Sequence, residues 1–169
     1  MKKFSFPACL LLMSATAVRA ADSSVEEKVK TIRAHYSEIE GSLKNCKQVK
    51  RDLAGESAEG GELTAYLKEA SIRKLSAKFF GETGKALQEY YFWDNQLIFV
   101  LRVESHYTKP MSGVVKTKTE ERFYFAGGSL IRWLDAQNKD VTTSAEKPAR
   151  ERDLLADAKK YSARMEDGK

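Results

Sequence analysis

Few side chains in this sequence have the type and spacing to carry a reaction. The histidines are His35 and His106. His106 follows Glu104 by two residues, which puts both on one face of a strand, and a carboxylate beside an imidazole is the minimum for acid–base work. His35 precedes Glu38 by three residues, a spacing that shares a helix face. A zinc site wants three or four ligands, and neither place offers more than two locally, so both histidines read as solvated and no metal or cofactor is expected. Cys46 has Lys44, Lys47 and Lys50 nearby, a setting that depresses a thiol pKa. It also falls on the apolar stripe of a helix, which predicts a packed, inert cysteine. No G-x-S-x-G or H-E-x-x-H spacing occurs. Gly60-Gly61 and Gly127-Gly128 are isolated pairs, not phosphate-cradling loops. No catalytic residue is assigned. A hydrolase built from this chain would have to assemble around Glu104 and His106 from distant parts of the sequence.

The first twenty residues address the chain rather than build it. Lys2 and Lys3 precede a mostly apolar run from Phe4 to Met13, and small residues then lead to Val18-Arg19-Ala20. That order is a secretory signal peptide with cleavage after Ala20, its apolar run short of the ~20 residues a spanning helix needs. The expected organisation is a signal peptide over residues 1–20 and one domain over residues 21–169, periplasmic or secreted, with no stable membrane insertion after cleavage. Loss of Lys2, Lys3 and Arg19 lowers the formal charge from +5 to +2, which withdraws most of the hint of a nucleic-acid partner. Of the two cysteines only Cys46 survives processing, so no internal disulfide can form.

Two periodicities divide the mature chain. Val25, Val29, Ile32, Tyr36, Ile39, Leu43, Cys46 and Leu53 recur in steps of four and three with Lys50 as the one break, predicting an amphipathic helix capped at Ser23 or Ser24. Gly41 is a place where it bends or ends. Residues 54–61 read as a loop. From Glu62 the pattern alternates and repeats: Tyr66-Leu67-Lys68-Glu69-Ala70-Ser71-Ile72-Arg73, Tyr91-Phe92-Trp93-Asp94-Asn95-Gln96-Leu97-Ile98 and Tyr124-Phe125-Ala126-Gly127-Gly128-Ser129-Leu130-Ile131. Each is an aromatic, an apolar residue, a two-residue turn and an aliphatic strand, hence three hairpins. Residues 108–119, with Lys109, Lys116 and Lys118, read as a basic surface loop. Thr143-Ser144-Ala145-Glu146 matches a capping box, and Leu154, Ala158, Tyr161 and Met165 mark a second amphipathic helix. The predicted fold is α+β: a six-stranded antiparallel meander flanked by N-terminal and C-terminal helices.

Regular hairpin pairing places Tyr66 opposite Arg73, Tyr91 opposite Ile98 and Tyr124 opposite Ile131. One sheet face then holds Tyr90, Phe99 and Phe123 as core. The other holds Tyr66, Tyr91, Trp93, Tyr124 and Trp133 with Arg73, and Lys109, Lys116 and Lys118 would rim it. Tyrosine and tryptophan supply large contact area at low entropy cost, so Tyr66, Arg73, Tyr91, Trp93, Tyr124 and Trp133 are the candidate binding residues.

The hairpin segments that begin at Glu89 and Glu121 resemble a group of small exported bacterial proteins of unknown function, over about residues 62–135. The meander-plus-helix form is also similar to the fold of β-lactamase-inhibitor proteins, which implies a binder rather than an enzyme. The expected function is a periplasmic, non-enzymatic binding or inhibitor-like module acting on an envelope protein or ligand. The alternatives are the Glu104/His106 hydrolase and an envelope structural protein that self-associates through a sheet edge.

Overall fold

A computed structural model describes residues 14–166. Its elements run α1 (Ser14–Ser42), a short 3-10 turn (Leu43–Asn45), β1 (Lys47–Asp52), β2 (Gly61–Lys68), β3 (Ser71–Gly81), β4 (Gly84–Trp93), β5 (Gln96–Tyr107), β6 (Val115–Ala126), β7 (Ser129–Leu134) and α2 (Lys147–Glu166). The strands form one antiparallel sheet in chain order. The class is α+β with two helices, as the periodicities predict, but there are seven strands. Residues 1–13, most of the expected signal peptide, lie outside the described residues.

The extra strand is β1. Its Lys-Gln-Val-Lys-Arg-Asp sequence carries almost no strand signal, and Val49 and Leu53 happen to continue the helical phase. The helix ends instead at Ser42, one residue past Gly41. Lys50, the apparent break in a helical stripe, is an outward position of an edge strand, and charged residues on such an edge discourage further pairing. Helix α1 also begins before Ser23 and Ser24, running back through the alanine-rich residues 15–21, where propensity is high. At the other end of the sheet, β7 has its outer edge occupied: Trp133 N–H donates to Thr142 Oγ1 at 2.9 Å, Val141 N–H to the Trp133 carbonyl at 2.9 Å, and Leu130 N–H to Glu151 at 2.7 Å.

The three hairpins share one design. Their turns, Glu69-Ala70, Asp94-Asn95 and Gly127-Gly128, all have both residues at positive φ, between 48° and 76°, the geometry whose twist matches the strands. Glycine and asparagine accept this readily; Ala70 at φ 66° does not, and the sheet holds it there. Leu67, Phe92 and Phe125 pair with Ile72, Leu97 and Leu130 as expected. One step further the register shifts in every hairpin, so that Tyr66 pairs with Lys74, Tyr91 with Phe99 and Tyr124 with Arg132. Arg73, Ile98 and Ile131 are the extra residues of three equivalent β-bulges. A one-residue shift exchanges faces: Phe99 joins Tyr91 and Tyr124, and Trp133 leaves them for the side of Tyr90 and Phe123.

Each face carries one helix laid across the strands. Glu26 of α1 pairs with Arg132 on β7, Tyr36 packs on Tyr91 and Phe99 at 4.9 and 5.3 Å, and Glu40 meets Lys74 on β3 at 2.7 Å. Four strand spacings are ~19 Å, and the fourteen helical steps from Glu26 to Glu40 rise ~21 Å, so crossing angle and length agree. On the opposite face, α2 starts over β7, where Arg150 lies 5.4 Å from the Trp133 ring. Its last turns reach the β1–β2 connection, where Lys160 and Arg164 hold Glu56 at 2.7 and 2.8 Å. Leu154, Ala158, Tyr161 and Met165 are all buried, the expected stripe. The larger core lies on this side, around Tyr90, Phe123, Phe125 and Trp133.

Candidate binding face

The six aromatic-face residues do not form one surface. Tyr91 and Tyr124 are buried beneath α1, Tyr91 by Tyr36 and Tyr124 with the Arg33 guanidinium 5.6 Å from its ring. Tyr66 is half-buried beside Lys74, whose Nζ lies 5.9 Å from its ring. Trp93 keeps part of its surface, but His35 stacks on it at 3.8 Å and Arg73 lies 5.2 Å from it. His35 is thus a packing partner of a tryptophan rather than a fully solvated residue. Trp133 sits on the other face, stacked with Phe123 at 5.5 Å and donating from Nε1 to Glu121 at 3.1 Å. The repeated tyrosines form the seat of a helix. The parity argument fails for Trp133 because the bulge lies between it and the turn.

Sequence reasoning also missed the polar centre of that seat. Lys74 is buried, and its ammonium bridges Glu40 at 2.7 Å and Glu89 at 2.8 Å. The Tyr91 hydroxyl lies 2.8 Å from Glu40 and 2.9 Å from Glu89. Burial opposes the lysine's charge, but hydrogen bonds and attraction from the two carboxylates outweigh it and raise Lys74 above its ordinary value. Burial, reinforced by the same carboxylates, pushes Tyr91 far up, so its hydroxyl stays a donor. This cluster fastens α1 to β3 and β4.

Beyond α1 the same sheet face lies open. The register aligns Glu62, Lys78, Leu87, Val103 and Glu120 across β2 to β6, and in the next row Lys85, Ser105 and Lys118 across β4 to β6. These residues other than Glu120, with Phe80 and Lys50, line a trough of about 540 Å³, and Glu120 stands just beyond it, paired with Lys118. Its floor is apolar, from Leu87, Val103 and Phe80, and lysines stand around it. Glu62 lies between Lys50 at 3.2 Å and Lys78 at 3.6 Å, and Glu120 between Lys118 at 2.8 Å and Arg122 at 2.9 Å. The Lys50 hydrogen bond, stronger than the opposing effect of burial, holds Glu62 below the usual carboxylate range, and Lys118 does the same for Glu120. Both acids are therefore ionised and already shared between cations. Four lysines against Glu62 and the neighbouring Glu120 leave the trough positive.

The chain matches no family model, no curated protein and no solved structure.

The remaining candidates hold less. Glu104 and His106 do share a strand face and line one shallow cavity, but Glu104 is ion-paired with Arg102, and no other carboxylate lines that cavity. Among the described residues no three His, Cys, Asp or Glu side chains are grouped to hold a metal. Cys46 is half-buried just beyond the 3-10 turn, its thiol 3.7 Å from the Ser42 carbonyl. It lies off the helix because the helix has already ended. The trough residues were readable in one respect: Lys78, Phe80, Lys85, Leu87 and Val103 alternate in phase with Tyr91 along their strands. That phase becomes visible only once the bulges fix which face is which.

Proposed function

We propose that this chain is an exported, non-enzymatic binding module whose site is the trough left open beside α1, and whose ligand is a small amphipathic anion. The observation that carries this reading is an apolar floor of Leu87, Val103 and Phe80 ringed by four lysines and one carboxylate, Glu62, which is shared between two of them, with Glu120 paired to Lys118 just outside. Concave sites of ~300–1,000 Å³ with an apolar lining and a few oriented polar groups are the usual form of a small-molecule site. An acyl chain or ring would lie on the floor, and its acid group would pair with Lys85, which has no ion-pair partner among the described residues. A protein partner recognised in the inhibitor manner remains the wider class to which this reading belongs.

Calorimetric titration with dodecanoate and with dodecyltrimethylammonium tests it. Dodecanoate is expected to bind, the cation to bind at least ten-fold more weakly, and Leu87→Glu to weaken dodecanoate about ten-fold while circular dichroism stays unchanged. Equal binding of both amphiphiles, or dodecanoate binding indifferent to Leu87→Glu, would remove the trough from the proposal.

Export is proposed on the order of residues 1–20 alone. Intact mass of protein recovered from the periplasm is expected to correspond to a chain starting at Ala21, and recovery of a chain retaining Met1 would overturn it. No described helix is long and apolar enough to cross a membrane.

A further inference from the structure

The large apolar side chains exposed among the described residues are Phe80, Met111, Val114 and Val115, and they gather at one end of the sheet. This is the end opposite the three hairpin turns. The β3–β4 turn and the β5–β6 connection lie side by side there: Tyr107 N–H donates to the Thr83 carbonyl at 2.8 Å and Met111 N–H to the Glu82 carbonyl at 2.7 Å. Phe80 and Met111 line one cavity, and Val115 pairs with Tyr107. The connection is folded rather than loose, since Thr108 N–H donates to the Val114 carbonyl at 2.8 Å and Ser112 N–H to the Lys109 carbonyl at 3.2 Å. Met111 sits at φ 59° at its tip, 72% exposed. A backbone so constrained around an exposed methionine does not hide it, and single exposed apolar residues need no explanation whereas a cluster does.

Charge surrounds the cluster. Lys85, Lys109, Lys116 and Lys118 are exposed around it; Lys85 and Lys118 also line the trough, whereas Lys109 and Lys116 belong to this pole alone. Glu82 and Glu59 stand at its margin. Exposed apolar side chains accompanied by exposed lysines match the two layers of an anionic bilayer surface, where phosphate charge lies outside hydrocarbon. A soluble anion would need only the lysines; here Met111 and Val114, the most exposed large apolar side chains among the described residues, lie in the same connection as Lys109 and Lys116, and a bilayer surface takes both kinds of group together.

We infer that this pole is a peripheral membrane-docking surface for an anionic phospholipid bilayer, with Met111 and Val114 entering the interfacial layer and the lysines meeting lipid phosphates. This goes beyond the binding reading and does not depend on it, since the trough can be empty while the pole adsorbs. It requires no spanning segment.

Co-sedimentation of the processed chain, without residues 1–20, with vesicles of phosphatidylglycerol and phosphatidylcholine in equal parts and with pure phosphatidylcholine vesicles is the test. The protein is expected to partition at least ten-fold more strongly to the anionic vesicles, and high salt to weaken it as the Debye length shrinks. Each lysine near such a surface is worth ~5-fold, so Lys109→Glu with Lys116→Glu should reduce partitioning at least ten-fold. Met111→Asp with Val114→Asp should reduce it comparably, and both double variants should unfold at the wild-type temperature. Equal partitioning to the two vesicle types overturns the inference. So does a loss with the lysine pair but none with the Met111/Val114 pair, an outcome that would reassign the pole to soluble polyanions. Loss of vesicle binding with intact dodecanoate binding would separate this surface from the trough.

Discussion

Replacing Lys74 with methionine is expected to destabilise the protein by about 2–4 kcal/mol. Removing one member of a buried ion pair costs roughly 3–5 kcal/mol because the partner is left charged and unpaired, and the lower range applies here because the Glu40 side chain is still 35% exposed to screening water. Glu89, whose side chain is 15% exposed, would be left facing Glu40 with only the Tyr91 hydroxyl between them. Two consequences follow from the sign of the Lys74 shift. Its folded pKa is raised, so its contribution in the wild type is complete below the ordinary lysine value of ~10.4 and is lost only as pH climbs through the higher folded value. Between neutrality and pH ~9 the wild type should therefore lose nothing from this cluster. In the variant the two carboxylates repel, and the deficit should narrow on acidification through the carboxylate range as one of them takes a proton. Adding Glu89→Leu should recover much of the loss, since an apolar replacement of a buried pair is often neutral. Urea denaturation at several pH values reads all three effects. A loss below ~0.5 kcal/mol, or a deficit that widens on acidification, would mean that the cluster does not fasten α1.

The parts of this fold that were legible in sequence are those carried by local rules. Asp94-Asn95 and Gly127-Gly128 announce turns with positive φ, and the shared Tyr–apolar–turn–aliphatic wording extends the same geometry to Glu69-Ala70, which on its own is a poor turn. Leu154, Ala158, Tyr161 and Met165 specify the α2 stripe by spacing alone. What was not legible is non-local. Strand β1 exists because β2 offers it a partner, and its six residues are as compatible with a charged helix as with an edge strand. The bulges leave no composition signal either, since Arg73 is chemically unlike Ile98 and Ile131, and isoleucine is equally at home in a regular strand. They are nevertheless what decides the candidate site. They turn Phe99 and the tyrosine row toward α1, give Lys74 rather than Arg73 the place opposite Tyr66, and so turn an apparent aromatic binding surface into a helix seat. The length of α1 does the rest. It reaches from β7 to β3 along the tyrosine row and leaves the outer rows of Leu87, Val103 and Lys85 uncovered.

Trp133→Ala is the variant that separates these two arrangements most sharply. With regular pairing, Trp133 would share a face with Tyr124 and belong to a binding surface, where truncation leaves no cavity and the fold survives. With the bulge at Ile131, Trp133 is buried against Phe123, its indole N–H donates to Glu121, and Arg150 of α2 lies near its ring. The expected loss is then that of a large aromatic removed from a core, about 3–5 kcal/mol, or roughly 10 °C in melting temperature for a domain of this size. Dodecanoate binding at the trough should be unchanged under conditions where the variant is folded, because the trough lies on the other face. Tyr36→Ala, which removes the α1 ring packed on Tyr91 and Phe99, belongs to that opposite layer, and its cost should add to that of Trp133→Ala within ~0.5 kcal/mol. Phe123→Ala should couple to Trp133→Ala instead, since the two rings share one contact and the second truncation removes less than the first. Thermal or urea melts of the single and double variants are the measurement. A Trp133→Ala protein as stable as wild type, or coupling with Tyr36 in place of Phe123, would return Trp133 to the α1 face and erase the bulge from which the assignment of both faces is derived.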